Sequence, residues 1–237
     1  MPTITNRQQL LNQLYTAGKK KVELPERIEE RSILDHLIYA ICRENASTAQ
    51  ADVAFQQLRN RFVDWNEVRV STVGEIAEVF KEMNNGEDRA TNIIGVLQEW
   101  FEMTFSFNMD EIHKKGLKEG ARKLSRLRHV NDFVVAWVVQ QGFGGHAIPL
   151  DSEAVRTVKR LQLSDVDGDD LEALRTSLEH YIPKTRGPAM VELFSVVSRE
   201  WCHENNPDCG HCPFQSDCVM GNQSKSKPNE SKPRKSR

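Results

Sequence analysis

Four cysteines stand close together near the C-terminal end of this chain: Cys202, Cys209, Cys212 and Cys218, spaced C-x6-C-x2-C-x5-C. Thiolates are soft ligands, and four of them in one short loop suit zinc or an iron–sulfur cluster. Structural zinc sites usually supply their ligands as two close couples. Here only Cys209 and Cys212 form such a couple. A cubane cluster is wider than one ion and suits a looser wrap with four single attachments. A second residue able to do chemistry is Asp151, which follows Pro149 and Leu150 and opens an apolar-periodic segment. Taken alone, that placement fits a helix N-cap. The fifth cysteine, Cys42, lies in the apolar string HLIYAICREN and reads as a small buried hydrophobe.

The elements that must carry these residues are helical. Apolar residues recur three and four apart in segment after segment, and long alternating patterns are absent. A first helix holds Leu10, Leu11 and Leu14 and is expected to end at Gly18. A second, largely buried, carries Ile33, Leu34, Leu37, Ile38 and Ile41. Ser47 caps a third running to about Phe62, and Thr72 caps a fourth closed by Asn84, Asn85 and Gly86. A fifth spans about 87–105, short helices follow near 109–115 and 117–127, and another covers 131–143. The last three lie at about 152–162, 168–181 and 185–203, and HAIPL before Asp151 is the one short extended candidate. The fold class is all-α.

Length and composition fit a globular protein of 237 residues with room for a core. No apolar run is long enough to span a bilayer, and the polar start MPTITNRQQL does not resemble a signal peptide. The expectation is a cytoplasmic, monomeric protein in a reducing compartment, where five cysteines favour ligation over disulfides. The net charge of −2 conceals a division. Residues 224–237 hold six basic residues and one acidic one, so residues 1–223, with 26 basic and 33 acidic, carry −7. The Ser/Lys/Pro-rich tail, 222–237, is expected to be disordered. It suits either non-specific phosphate contacts or solubility alone.

The cysteine spacing, directly after a helix, resembles the [4Fe–4S] loop of the endonuclease III and adenine-mispair branch of helix-hairpin-helix DNA glycosylases. The resemblance covers nearly all of 1–221. The stretch LSRLRHVNDFVVAWVVQQGFGGHAIPLDSEAVRTVKRL is similar to the family's hairpin, following helix and catalytic aspartate segment. The hairpin pattern L-P-G-V-G-x-K-T-A falls on Leu127 to Val135. The pattern V-D-T-H-x-x-R is met by Leu150, Asp151, Ser152, Glu153 and Arg156. The wedge-bearing S-A-Q-A-T-D stretch falls on Arg43 to Thr48, with Asn45 at the glutamine position, and DRATNII at 88–94 resembles a family helix start.

The resemblance implies a two-lobed body acting on double-stranded DNA with a damaged or mispaired base. A helical lobe of 26–146 would hold the hairpin at about 120–142. A discontinuous lobe of 1–25 plus 147–221 would hold the cluster loop, 202–218. It further implies a [4Fe–4S] cluster on the four cysteines, with zinc as the alternative, and Asp151 stabilising charge at C1′ or activating water. Asn45 would fill the space of an extruded nucleotide, or serve only as a helix-terminal polar residue. Arg128, His129 and Asn131 would contact phosphate at the hairpin, unless the hairpin is kept for packing.

The sequence also departs from the pattern. His129 and Asn131 replace hairpin glycines, which the family uses for positive φ; Asn tolerates that conformation better than His. Phe133 stands where bifunctional members carry the Schiff-base lysine, and Lys123 is a poor substitute. The first inter-cysteine segment, His203 to Asp208, is acidic where the family is often basic. The adenine-mispair branch's additional helical glutamate has no counterpart; Glu44 is the nearest carboxylate and stands off that position. The expectation is a monofunctional DNA N-glycosylase using water, or, in the alternative, a catalytically weak or inactive lesion-sensing protein. A zinc-stabilised helical interaction module is a further alternative.

Overall fold

The computed structural model describes residues 4–21, 31–114, 116–164, 166 and 170–225. Among these residues the structure is all-α, with no strand. The helices are α1 (Ile4–Lys21), α2 (Ile33–Arg43), α3 (Thr48–Arg61), α4 (Trp65–Val70), α5 (Val73–Ala77), α6 (Gly86–Thr104), α7 (Leu117–Leu124), α8 (Asp132–Trp137), α9 (Ser152–Arg160), α10 (Leu171–Tyr181), α11 (Gly187–Glu200) and α12 (Val219–Lys225). A π-helical segment, Val138–Gly142, continues α8. None of these helices is long and apolar enough to cross a membrane.

Side-chain caps define most helix starts. Ser47 and Gln50 form a reciprocal capping box on α3, as Thr72 and Glu75 do on α5. Ser32, Asp64, Asn131, Asp151 and Asp170 each accept a backbone N–H from the first turn that follows. The central helix is α2: Leu34, Leu37, Ile38 and Ala40 are buried on several sides, against α3, α6, α8 and the π segment. Cys42 on this helix is fully buried, and burial pushes its thiol up to about 12. It is an inert packing residue.

Several expectations are corrected. The first helix runs through Gly18 to Lys21, and a Cβ at Gly18 would lie 2.7 Å from the Leu193 side chain, so this glycine is not a stop. Glycine there serves the close approach of α1 to α11. Of the helix expected near 109–115, residues 110–114 form turns, with Asn108 Oδ1 accepting the Asp110 N–H at 2.8 Å and competing with a helix; residue 115 lies outside the described residues. HAIPL is extended but unpaired: the Ile148 N–H donates to Glu179 at 3.2 Å, and His146 Nε2 lies 2.9 Å from the Ile182 carbonyl. Helices α4 and α12 were not expected. The predicted disordered tail begins too early, since 222–225 belong to α12; residues 226–237 lie outside the described residues.

Candidate active site and cysteine loop

Asp151 is the N-cap of α9 and only 4% exposed. Its Oδ1 accepts the Ala154 N–H at 2.8 Å, and its Oδ2 accepts the Asn45 N–H at 3.0 Å. Asn45 has a left-handed backbone, φ 48°, which asparagine tolerates better than most residues. The amide of Asn45 turns to the same helix end: its Oδ1 accepts from Ser152 Oγ at 2.9 Å and from the Glu153 N–H at 3.4 Å. The two residues, expected to be wedge and catalyst, thus form one interlocked cap.

Buried arginines hold the turn 44–47 in place. Arg89, on α6, donates to the carbonyls of Ile41, Cys42 and Glu44 and so closes the C-terminal end of α2. Arg43, 1% exposed, donates to Glu192 at 2.7 Å and to Ser195 Oγ at 2.8 Å. Its Nη1 also donates to the Ala46 carbonyl, which accepts from Arg199 at 2.8 Å as well. Two of the turn's carbonyls, those of Glu44 and Ala46, are thereby held from α6 on one side and from Arg43 and α11 on the other.

Sequence reasoning weighed Glu44 and set it aside, as standing off the position of the family's additional glutamate. This residue is the C-cap of α2 and half-buried. Asn131, from the start of α8, donates its Nδ2 to both Glu44 oxygens at 2.8 and 2.9 Å while its own Oδ1 caps Val134. Burial raises the Glu44 carboxyl above its ordinary value; Asn131 opposes that, nearby Asp151 reinforces it, and Arg89 opposes it. Glu44 and Asp151 are thus a pair of neighbouring carboxylates near the junction of α2, α8 and α9, linked through Asn45, whose N–H Asp151 accepts. One signal was available in the sequence: Glu44 is adjacent to Asn45, itself matched to a family site position.

Asn131 does not adopt the left-handed conformation considered for it. Its φ is −95°, and no residue of the hairpin turn between α7 and α8 has positive φ. A capping asparagine needs extended backbone, so this hairpin reaches its turn by another route than the glycine pattern. Phe133 is 4% exposed and packs on Trp137 with ring centroids 6.0 Å apart.

Arg128 and His129 turn away from the carboxylate pair, toward α6. The Arg128 N–H donates to Glu99 Oε2 at 2.9 Å, and its guanidinium lies 3.6 Å from the same carboxylate. The His129 ring lies over Gly95, where a Cβ would fall 2.3 Å from it, and its Nδ1 is 3.4 Å from Asn92 Oδ1. One hairpin N–H is thus already occupied by an internal anion.

All four loop cysteines line one small cavity with Thr157, Arg160, Leu161, Val197 and Trp201. No group of three or more His, Cys, Asp or Glu side chains among the described residues converges tightly enough for a metal ion. The sulfurs share a cavity without meeting at one point. Thr157 Oγ, completely buried, has no hydrogen-bond partner, and Arg160 Nη1 donates to Cys202 Sγ at 3.4 Å. Four thiols with an unpartnered hydroxyl and a guanidinium beside them suit a thiophilic group that carries negative charge. Burial, reinforced by the other three cysteines, holds the Cys212 thiol above its ordinary value. Arg156 and Arg160, one turn apart on α9, donate to the Cys202 carbonyl at 2.8 and 3.3 Å, and Arg160 also to the carbonyls of His203 and Glu204. The helix that starts at Asp151 therefore clamps the loop at its other end. Of the acidic residues in the first inter-cysteine segment, Asp208 pairs with His211 Nδ1 at 2.8 Å.

No family profile matches the sequence, and no curated protein matches it either. Solved structures do. A trapped endonuclease III–DNA covalent intermediate superposes with a TM-score of 0.70 at 20% identity, over 95% of this chain and 100% of that one. A thermostable thymine-DNA glycosylase gives 0.61 at 18%, over 92% and 97%. A Clostridium acetobutylicum 8-oxoguanine glycosylase/lyase bound to double-stranded DNA gives 0.59 at 13%, over 83% and 70%. At these identities the likeness is one of fold.

Proposed function

We propose that this chain, which has the all-α fold of the helix-hairpin-helix DNA glycosylases, is a monofunctional DNA N-glycosylase of base-excision repair. The observation that carries the reading is the placement of Asp151. A buried carboxylate, fixed by two backbone N–H groups at the start of a helix, lies beside a strained turn in a fold shared with DNA-bound glycosylases. As N–glycosidic cleavage builds positive charge on the sugar, such a carboxylate stabilises that charge and takes the proton of the attacking water. Each Asp151 oxygen keeps a further lone pair for this work. Phe133 offers no amine, so water rather than a lysine closes the reaction, and strands are left unbroken. Asn45 would first have to give up its contacts with Ser152 and Glu153 to enter the duplex.

Cys202, Cys209, Cys212 and Cys218 would hold a [4Fe–4S] cluster that fastens the loop to the body. Its support is the shared apolar cavity and the donors Thr157 and Arg160. Zinc is the alternative, since four thiolates serve it as well. Protein purified without oxygen is expected to carry iron, and stoichiometric zinc instead would reject the cluster.

A second reading, a lesion-binding protein with weak chemistry, draws on one observation: the Glu99 carboxylate occupies the Arg128 N–H where a hairpin would meet phosphate. A panel of single-lesion duplexes decides between them. Base release that depends on Asp151, without strand nicking, supports the glycosylase; binding without release across the panel supports the sensor. Borohydride trapping of a protein–DNA adduct would overturn the monofunctional assignment.

A further inference from the structure

We propose that Glu44 delivers the proton to the departing base and that Asn131 aims it; the inference rests on the glycosylase reading above. Breaking the C1′–N bond leaves an electron pair on the base, and a neutral base is a poor leaving group until it is protonated. The two carboxylates occupy different settings. Asp151 stands at the N-terminal, positive end of α9 with a backbone N–H on each oxygen. Glu44 stands at the C-terminal end of α2, where its carboxylate is held by the neutral Asn131 amide. The groups facing Glu44 are Asn131 from α8, Asp151 from α9 and Arg89 from α6. Arg89 commits its guanidinium to backbone carbonyls, the Glu44 carbonyl among them. Neighbouring carboxyls whose surroundings drive their protonation apart divide into an acid and a base. Two backbone N–H groups serve the Asp151 anion, whereas Glu44 has a neutral side-chain amide and is raised by burial, so Glu44 takes the acid's part.

The step balances. The C1′–N bond breaks, its electrons leave with the base, and the base takes the Glu44 proton. A water oxygen bonds to C1′, and the proton that this water loses goes to Asp151. Solvent then returns a proton to half-exposed Glu44 and removes one from Asp151. The products are the free base and an abasic sugar bearing a hydroxyl, with one water consumed. Asn131 is a positioning residue. Its amide points the Glu44 carboxyl, and because its N–H groups hold the Glu44 carboxyl down, it also sets the pH at which the acid form is lost.

The test is single-turnover base release by the full chain. The substrates are duplexes with one uracil, hypoxanthine, 8-oxoguanine or thymine glycol, followed across pH. Glu44→Gln is expected to slow release of the neutral base about 10²- to 10³-fold and to abolish the alkaline fall in rate. Binding to a duplex with a stable abasic analogue should stay near the wild-type level. Asn131→Ala is expected to keep that alkaline limb and move it to higher pH. A Glu44→Gln protein with wild-type rate and an intact alkaline limb, while Asp151→Asn is inactive, overturns this inference and leaves the glycosylase reading standing. Loss of abasic-duplex binding in Glu44→Gln, with both limbs of the profile retained, makes the residue structural and also overturns it. Wild-type protein that releases no base from any duplex overturns the glycosylase reading, and this inference with it.

Discussion

Asp151 illustrates why a cap and a catalyst are hard to separate by mutation. Asparagine is as good an N-cap as aspartate, so Asp151→Asn can keep the bond to Ala154. It has only one acceptor oxygen, however, and its amide nitrogen would face the Asn45 N–H as donor against donor. Leaving that half-buried N–H unpaired costs about 1–3 kcal/mol. Asp151→Asn is therefore expected to lose base release and to melt at lower temperature. The two effects separate when activity is assayed well below the new midpoint found by thermal unfolding. A variant with unchanged stability would show that the Asn45–Asp151 bond contributes little.

At the scale of elements, the hairpin is built into α6 rather than standing free of it. His129 rests on Gly95 and Arg128 bonds Glu99, one turn further along the same helix. A methyl at position 95 has no room, so Gly95→Ala is expected to destabilise the protein by about 1–3 kcal/mol in urea unfolding. In a His129→Ala background the space opens. The same Gly95→Ala change should then stabilise by up to about 1 kcal/mol, through the helix propensity of alanine over glycine. A double-mutant cycle showing no such reversal would mean that His129 does not pack on α6 in solution.

The whole molecule is tied together by buried charge. Arg43 is the last residue of α2, reaches Thr48 at the start of α3 and pairs with Glu192 on α11. Removing Glu192 leaves a buried guanidinium without its counter-ion. Glu192→Ala is expected to cost about 3–5 kcal/mol, read as a lower urea midpoint. Long-range electrostatics act through the tail as well. A body of residues 1–223 carrying −7 repels DNA, whereas 224–237 adds six basic residues against one acidic. Truncation after Gln223 is expected to weaken non-specific duplex binding. It should also flatten the plot of log K against log salt by about 0.9 for each phosphate that the tail had neutralised. An unchanged slope would leave the tail a solubility device.

What the sequence determined was local. Helical periodicity, the caps at Ser47, Thr72 and Asp151, and the gathering of four cysteines at one cavity are legible because they use residues near in sequence. Two positions were less legible because one residue type serves two ends: Gly18 makes room for Leu193 inside α1 instead of ending it, and Asn131 is a cap instead of a left-handed turn. Only the tertiary structure decided the composition of the site. Asn45 and Asp151 are 106 positions apart and Glu44 and Asn131 are 87 apart, so no periodicity brings them together. The same holds for Arg128 and His129, which a motif places with the site and packing places on α6. Side-chain chemistry is written in the sequence, but which partners each carboxylate meets depends on which helices come together. That is a property of the packed fold.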